Sequence, residues 1–373
     1  MKNKLTFEDG SVYEGEIVEG KPHGKGKMIF EDGEVYEGDF LEGERTGKGI
    51  MTFPNGGFYE GDFLNDYFHG KGKATYGDGS IYEGGFAEDK WHGKGKLIFK
   101  SKWVYEGDFI MGERTGSGIF TAKDGTVYEG GFNDGRLHGK GKAAYPSGRV
   151  YEGVFVFDVK KGKGKYTYED GAVYEGDMHN DKEHGKGKMI FKDGDVYEGD
   201  FLEGERTGKG KYSYEDGTVY EGDFVDGNFH GKGKYTNADY TNRYVYEGDF
   251  EDDCFQGKGK MVFANGNVYG GDFVDSDCNG KGKYTWANSD VYEGDFVDGK
   301  HAGKRKFTYA DGDVYAGDFV NGNIHGKGKY TWSDGGYYEG DFINNKRHGI
   351  GKMTYPDGSV KEGNWKDGEF VGE

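Results

Sequence analysis

Apolar and polar residues alternate in short bursts along this chain, and the bursts recur on a fixed period. Around Tyr36, the order Tyr36-Glu37-Gly38-Asp39-Phe40 puts two aromatics and a glycine on one face of an extended segment and two carboxylates on the other. After a glycine-containing connection, Lys48-Gly49-Ile50-Met51-Thr52-Phe53 alternates again, with Gly49, Met51 and Phe53 sharing a face. The spacing predicts two strands, A and B, in each repeat. In the Tyr13 repeat, Glu14 and Glu16 lie on the polar face of strand A, and Lys25 and Lys27 on that of strand B. Antiparallel neighbours are expected to pair these charges, at about 0.2–1 kcal/mol per pair.

Tyr-Glu-Gly or a close variant recurs every 23 residues from Tyr13 to Tyr220. The phase slips by three within 236–245, resumes at Tyr246 and runs to Tyr338, and Lys361-Glu362-Gly363 ends the series. Fifteen complete units start at Tyr13, flanked by a half unit, Leu5 to Val12, and a partial one, Lys361 to Glu373. The array therefore occupies 5–373 as a quasi-one-dimensional stack in which each unit packs on its neighbours.

Asp-Gly, as at Asp9-Gly10 and Asp32-Gly33, stands between strand B and the next strand A and predicts a two-residue hairpin turn. Pro54, Pro146 and Pro356 precede that turn. The other connection is Gly20-Lys21-Pro22-His23-Gly24 and its equivalents, in which the histidine ring is expected to stabilise a turn. No window is free enough of glycine for a helix. The predicted fold is all-β: an elongated, single-layer antiparallel β-meander ribbon of about thirty strands, curved and twisted. The glycine two places after each tyrosine is expected to leave bare backbone under a ring from an adjacent strand.

Composition sharpens this picture. Seventy-four glycines among 373 residues, with 33% hydrophobic residues, argue against a thick conventional core, while 17% aromatics argue against disorder. The first residues carry no signal-length apolar segment, and no run of ~18 apolar residues exists to cross a bilayer as a helix. Two cysteines exclude a disulfide-dense scaffold, and a cytoplasmic location is expected. Cys254 and Cys278 fall in equivalent connections of adjacent repeats, ~10 Å apart by two strand spacings. Both are expected to be free thiols.

The pattern Tyr-Glu-Gly-Asp-Phe, followed by Gly-x-x-His-Gly-x-Gly and an aromatic before x-Asp-Gly, closely resembles the MORN (membrane occupation and recognition nexus) repeat over essentially the whole chain. The resemblance implies hairpin arrays with an aromatic-lined concave groove. Such arrays occur in cytoskeletal scaffolds, junctional membrane proteins, ciliary radial-spoke proteins and regulatory extensions of enzymes. No enzyme segment is present in this sequence.

His23, His69, His92, His138, His184, His230, His325 and His348 share one repeat position, so equivalent atoms lie ~10 Å apart, too far to share a zinc ion. Gly24 to Lys27 looks phosphate-binding in isolation but opens no helix. A net charge of −19 gives no attractive field for nucleic acid. Neither cofactor nor metal is expected, and the regular carboxylates read as a solvated face.

Irregular repeats are the better site candidates. In the Tyr151 repeat, Val154 replaces the usual Asp, and Val156, Phe157 and Val159 add apolar surface, marking a candidate protein-binding patch. Lys160, Lys161, Lys163 and Lys165 form the densest lysine row and are candidates for weak contact with anionic lipid headgroups. Three extra residues within 236–245 lengthen one hairpin. Residues 23–49 and 184–210 differ only at Glu31/Lys192 and Glu34/Asp195, an offset of seven repeats that suggests a block duplication.

The expected function is a non-enzymatic scaffold that organises protein partners, with a homodimer among them, at a cytoskeletal or ciliary structure. A phosphoinositide-linked membrane tether, a radial-spoke component and an accessory subunit of a separate enzyme are the alternatives.

Overall fold

The computed structural model describes residues 3–320 and 322–373, the side chains of residues 302 and 304 excepted. These residues form 33 β-strands and no helix. The chain divides into two compact units, one ending at Glu183 and one beginning at His184. Within each, strands pair antiparallel with their neighbours in sequence. The all-β meander class is as expected.

The first repeats show how the sequence builds the hairpins. Strand β1 (Asn3–Thr6) pairs with β2 (Val12–Val18), β2 with β3 (Lys21–Ile29), β3 with β4 (Val35–Leu41), and β4 with β5 (Glu44–Thr52). The two connections exchange the roles expected of them. Between β2 and β3, Glu19 and Gly20 both have positive φ, 49° and 78°, which makes this the two-residue type I′ turn. At the Asp-Gly end, Gly10 N donates to Phe7 O at 3.1 Å and only Gly10 is left-handed, at φ 87°. That is a three-residue loop, with Asp9 Oδ1 accepting from Ser11 N at 2.9 Å.

Strand B is accordingly longer than expected. It starts at Lys21 rather than Lys25, and at Glu44 rather than Lys48 in the next repeat, so His23 lies inside a strand and not in a turn. The register explains how the strand passes the glycines. Gly15 faces Gly26 but Glu16 faces His23, so Gly24 and Lys25 bulge away from β2 while still pairing with Phe40 and Asp39 on β4. Gly24 takes φ 58° at the bulge.

The buried face is a zipper of rings. Tyr13, Tyr36, Tyr59, Tyr82 and Tyr105 in the first unit, and Tyr197, Tyr220, Tyr246 and Tyr269 in the second, are completely inaccessible. Tyr36 meets Phe40 of its own strand edge-on at 5.1 Å and Phe63 of the next repeat at 4.7 Å. Such pairs contribute roughly 0.5–1.5 kcal/mol each beyond burial. The ring over Gly15 comes from the glycine's own strand: a Cβ there would lie 2.3 Å from Tyr13 Oη. On Gly26, in the adjacent strand, it would lie 2.2 Å from Tyr13 Cε2, so that glycine fits the expectation of a ring from a neighbour.

Candidate functional site

The face opposite the rings is a charge ladder. Lys25 reaches Asp39 at 2.8 Å, Lys27 reaches Glu37 at 2.5 Å, Lys48 reaches Asp62 at 2.6 Å and Lys94 reaches Asp108 at 2.7 Å, which is the cross-strand pairing expected from alternation. Asp39 has a second task, because its Oδ2 accepts from Lys48 N at 3.1 Å in the bulge of the following strand. The hydrogen bond from Lys25, with the one from Lys48 N, holds its carboxyl below the usual range.

A groove of about 1420 Å³ runs along this face in the first unit, lined by residues such as Glu14, Lys27, Glu37, Ile50 and Lys73 and by bare glycine backbone. It is not the aromatic-lined groove that the resemblance implied. The rings are consumed in covering glycine on the other face, so the groove is walled by carboxylates and ammonium groups. Ile50 and Ile119 interrupt the ladder where other repeats carry lysine, and each is more than two-fifths exposed.

A position that the sequence reading passed over lies nine residues after each tyrosine. There the side chain stacks on the buried ring: Phe68 on Tyr59 at 3.9 Å, Phe229 on Tyr220 at 3.8 Å and His301 on Tyr292 at 3.9 Å. In the Tyr36, Tyr105, Tyr151, Tyr197 and Tyr338 repeats it is a cation. Arg45 sits over Phe30, Tyr36 and Phe63, and Arg206 over Phe191, Tyr197, Tyr212 and Phe224, each within 6.0 Å. The sequence signal is the recurrence of aromatic or cationic residues at this position in most repeats, inside a segment whose glycines suggest a connection.

Lys160 occupies this position in the Tyr151 repeat. Its Nζ lies 4.8 Å from the centre of the Tyr166 ring and 5.5 Å from that of Tyr151, and burial lowers its pKa. Lys161, Lys163 and Lys165 are exposed, and Lys163 pairs with Asp177 at 2.9 Å. The structure thus separates Lys160 from the other three lysines. The apolar candidates stay together: Val156 faces Val159 across the hairpin end, and Phe157, 43% exposed at φ 49°, packs its ring 4.8 Å from that of His138. Val154 stands where Asp39 bridges two strands and supplies no carboxylate there. In the lengthened hairpin, Tyr240 is 93% exposed with the Arg243 guanidinium 5.5 Å from its ring centre.

The histidines contribute through backbone. Tyr13 Oη lies 2.9 Å from Glu16 O and 3.0 Å from His23 O, so one hydroxyl proton serves two carbonyls at the bulge. Thr46 O and Thr115 O take the same place for Tyr36 and Tyr105, which is why the position tolerates other side chains. Among the described residues, no group of three or more His, Cys, Asp or Glu side chains is arranged to hold a metal ion. Cys254 and Cys278 are both free thiols.

The sequence profile of the MORN repeat matches fifteen segments, from 13–35 through 338–360. They break between 241 and 246, at the lengthened hairpin, and more briefly between 148 and 151. No curated protein matches. Among solved structures, the G-box domain of the microcephaly protein CPAP aligns at 12% identity and TM-score 0.21, covering 61% of this chain and 100% of that one. A mutant TCP10 domain of Danio rerio CPAP gives 11%, TM-score 0.21, and 71% and 96% coverage. The Drosophila melanogaster SAS-4 TCP domain, in complex with a proline-rich motif of Ana2, gives 10%, TM-score 0.22, and 54% and 90% coverage. Similarity this low carries no argument about function.

Proposed function

Because this chain belongs to the MORN repeat family, matched in fifteen consecutive segments, we propose that it is a non-enzymatic scaffold organising protein partners at a cytoskeletal structure. One observation carries the reading. The exposed face repeats the same charges at the same spacing, as a docking track would, while the tyrosines and phenylalanines are spent on internal packing. A homodimer and a cytoplasmic or ciliary location belong to the same proposal.

Membrane tethering is the weaker reading. Ladder lysines such as Lys25, Lys48 and Lys163 are each paired with a carboxylate, and a net charge of −19 opposes long-range attraction to anionic lipid. Localising the tagged protein and identifying proteins that copurify with it after cross-linking tests the proposal. Enrichment of cytoskeletal components is expected. A diffuse distribution with no specific copurifying protein would overturn it.

A further inference from the structure

The last residue of strand A, five places after the tyrosine, lies on the charged face and is apolar in five consecutive repeats of the first unit, from Val18 to Ile110, before Asn133 breaks the series. Val18 is 42% exposed, Leu41 53%, Leu64 45% and Ile110 57%, with the smaller Ala87 between the last two. The neighbouring turn position carries exposed carboxylates at Glu19, Glu42 and Glu88 and the uncharged Asn65 and Met111 beside Leu64 and Ile110, while Lys21 and Lys90 face Val18 and Ala87 across the hairpin. Two strand spacings separate successive members, ~9.6 Å. A polypeptide that touches all five must therefore present one apolar side chain about every 10 Å on a single face.

An extended strand fails this test, because residues three apart point to opposite sides. A polyproline helix has a suitable rise but a fully solvated backbone, which an aliphatic stripe cannot satisfy. An α-helix advances ~10.5 Å in seven residues and satisfies its own backbone. Over the four steps from Val18 to Ile110 the mismatch accumulates to only ~4 Å, less than one helical turn.

We infer that this stripe docks an amphipathic α-helix of a partner, with an apolar residue at every seventh position and Lys or Arg on the flank facing Glu19, Glu42 and Glu88. The inference rests on the scaffold reading and names the partner class for it. Leu41 and Leu64 anchor the seam, and the acidic row sets the orientation of the helix.

The test is titration of the full chain with a labelled helical peptide of about 30 residues, carrying five leucines at every seventh position and lysine on one flank. Saturable binding is expected. The triple variant Leu41→Ser, Leu64→Ser and Ile110→Ser should weaken it at least ~10-fold. Because these side chains are exposed, its circular dichroism and thermal unfolding should stay unchanged. If that variant unfolds, the pair Glu42→Lys and Glu88→Lys serves instead, expected to weaken binding about threefold at low salt and less at high salt. Equal binding by a peptide of the same composition with scrambled leucine spacing would overturn the inference, as would tighter binding by a proline-rich peptide with an apolar residue at every third position. Loss of vesicle binding or of self-association in the triple variant, with peptide affinity unchanged, would assign the stripe to a membrane or a second copy. Cytoskeletal proteins still captured by a triple variant that binds the peptide normally would leave the scaffold reading standing and remove this one.

Discussion

Tyr36 covers Gly49 so closely that a Cβ on that glycine would fall 2.3 Å from Tyr36 Cε2. The contact ties the two strands of a hairpin together through an absent side chain. Gly49→Ala should therefore push out a fully buried ring, and a destabilisation of roughly 1–3 kcal/mol is expected in urea unfolding. Val320→Ala, at a half-exposed site, should change stability by less than ~0.5 kcal/mol. Equal effects of the two would contradict the packing described.

Lys160 has the aromatic contacts of an internal cation. Lys160→Arg should be nearly neutral, while Lys160→Ser should lose roughly 0.5–2 kcal/mol of stability, the range of a partly desolvated cation over rings. Neither should alter vesicle binding. A vesicle-binding defect in Lys160→Ser with unchanged unfolding would return this lysine to the lipid-facing role expected from sequence.

Alkaline unfolding follows from the buried phenols. Desolvation raises the pKa of Tyr105, Tyr197 and Tyr338 to about 12, against ~10 in the unfolded chain. A raised folded pKa means that the unfolded state releases its proton first. The stabilisation is complete below pH ~10 and is lost as pH rises through the folded values. Tyrosinate absorbance should lag behind free tyrosine and then rise together with loss of β-structure. A simple titration centred near pH ~10 with the fold intact would contradict the burial of these rings.

Thiol chemistry separates the two cysteines. Burial against the Tyr269 repeat pushes the Cys278 thiol up to about 11. Titration in denaturant without reductant should count two thiols, and the native protein at pH ~8 should leave Cys278 the slower to react. Finding no thiol in denaturant would mean a disulfide.

The repeat, its strands and its charge pairing were legible because alternation at a period of two is a direct record of which side chain faces which side. Tyr36, Gly38 and Phe40 on one face and Glu37 and Asp39 on the other needed no tertiary information. The hairpin ends were less legible. Gly20 and Gly24 both look like turn residues, and only the register, with Glu16 opposite His23, shows that one makes the turn and the other a bulge. That error hid the position of Arg45 and Lys160 on the ring face. Arg305 was hidden for another reason: it stands where other repeats have glycine, and its stem lies over Gly294 while its guanidinium pairs with Asp295.

Flotation and affinity capture on the same protein test the scaffold claim most directly. Vesicles containing phosphatidylserine or phosphoinositide should retain little protein at ~0.15 M salt, where exposed charges are screened beyond ~8 Å. The immobilised chain should retain specific proteins from a cytoskeletal extract, and replacing Phe157 and Val159 by polar residues tests whether the Tyr151 repeat contributes. Tight vesicle binding abolished by replacing Lys161, Lys163 and Lys165, together with no retained protein, would contradict the account.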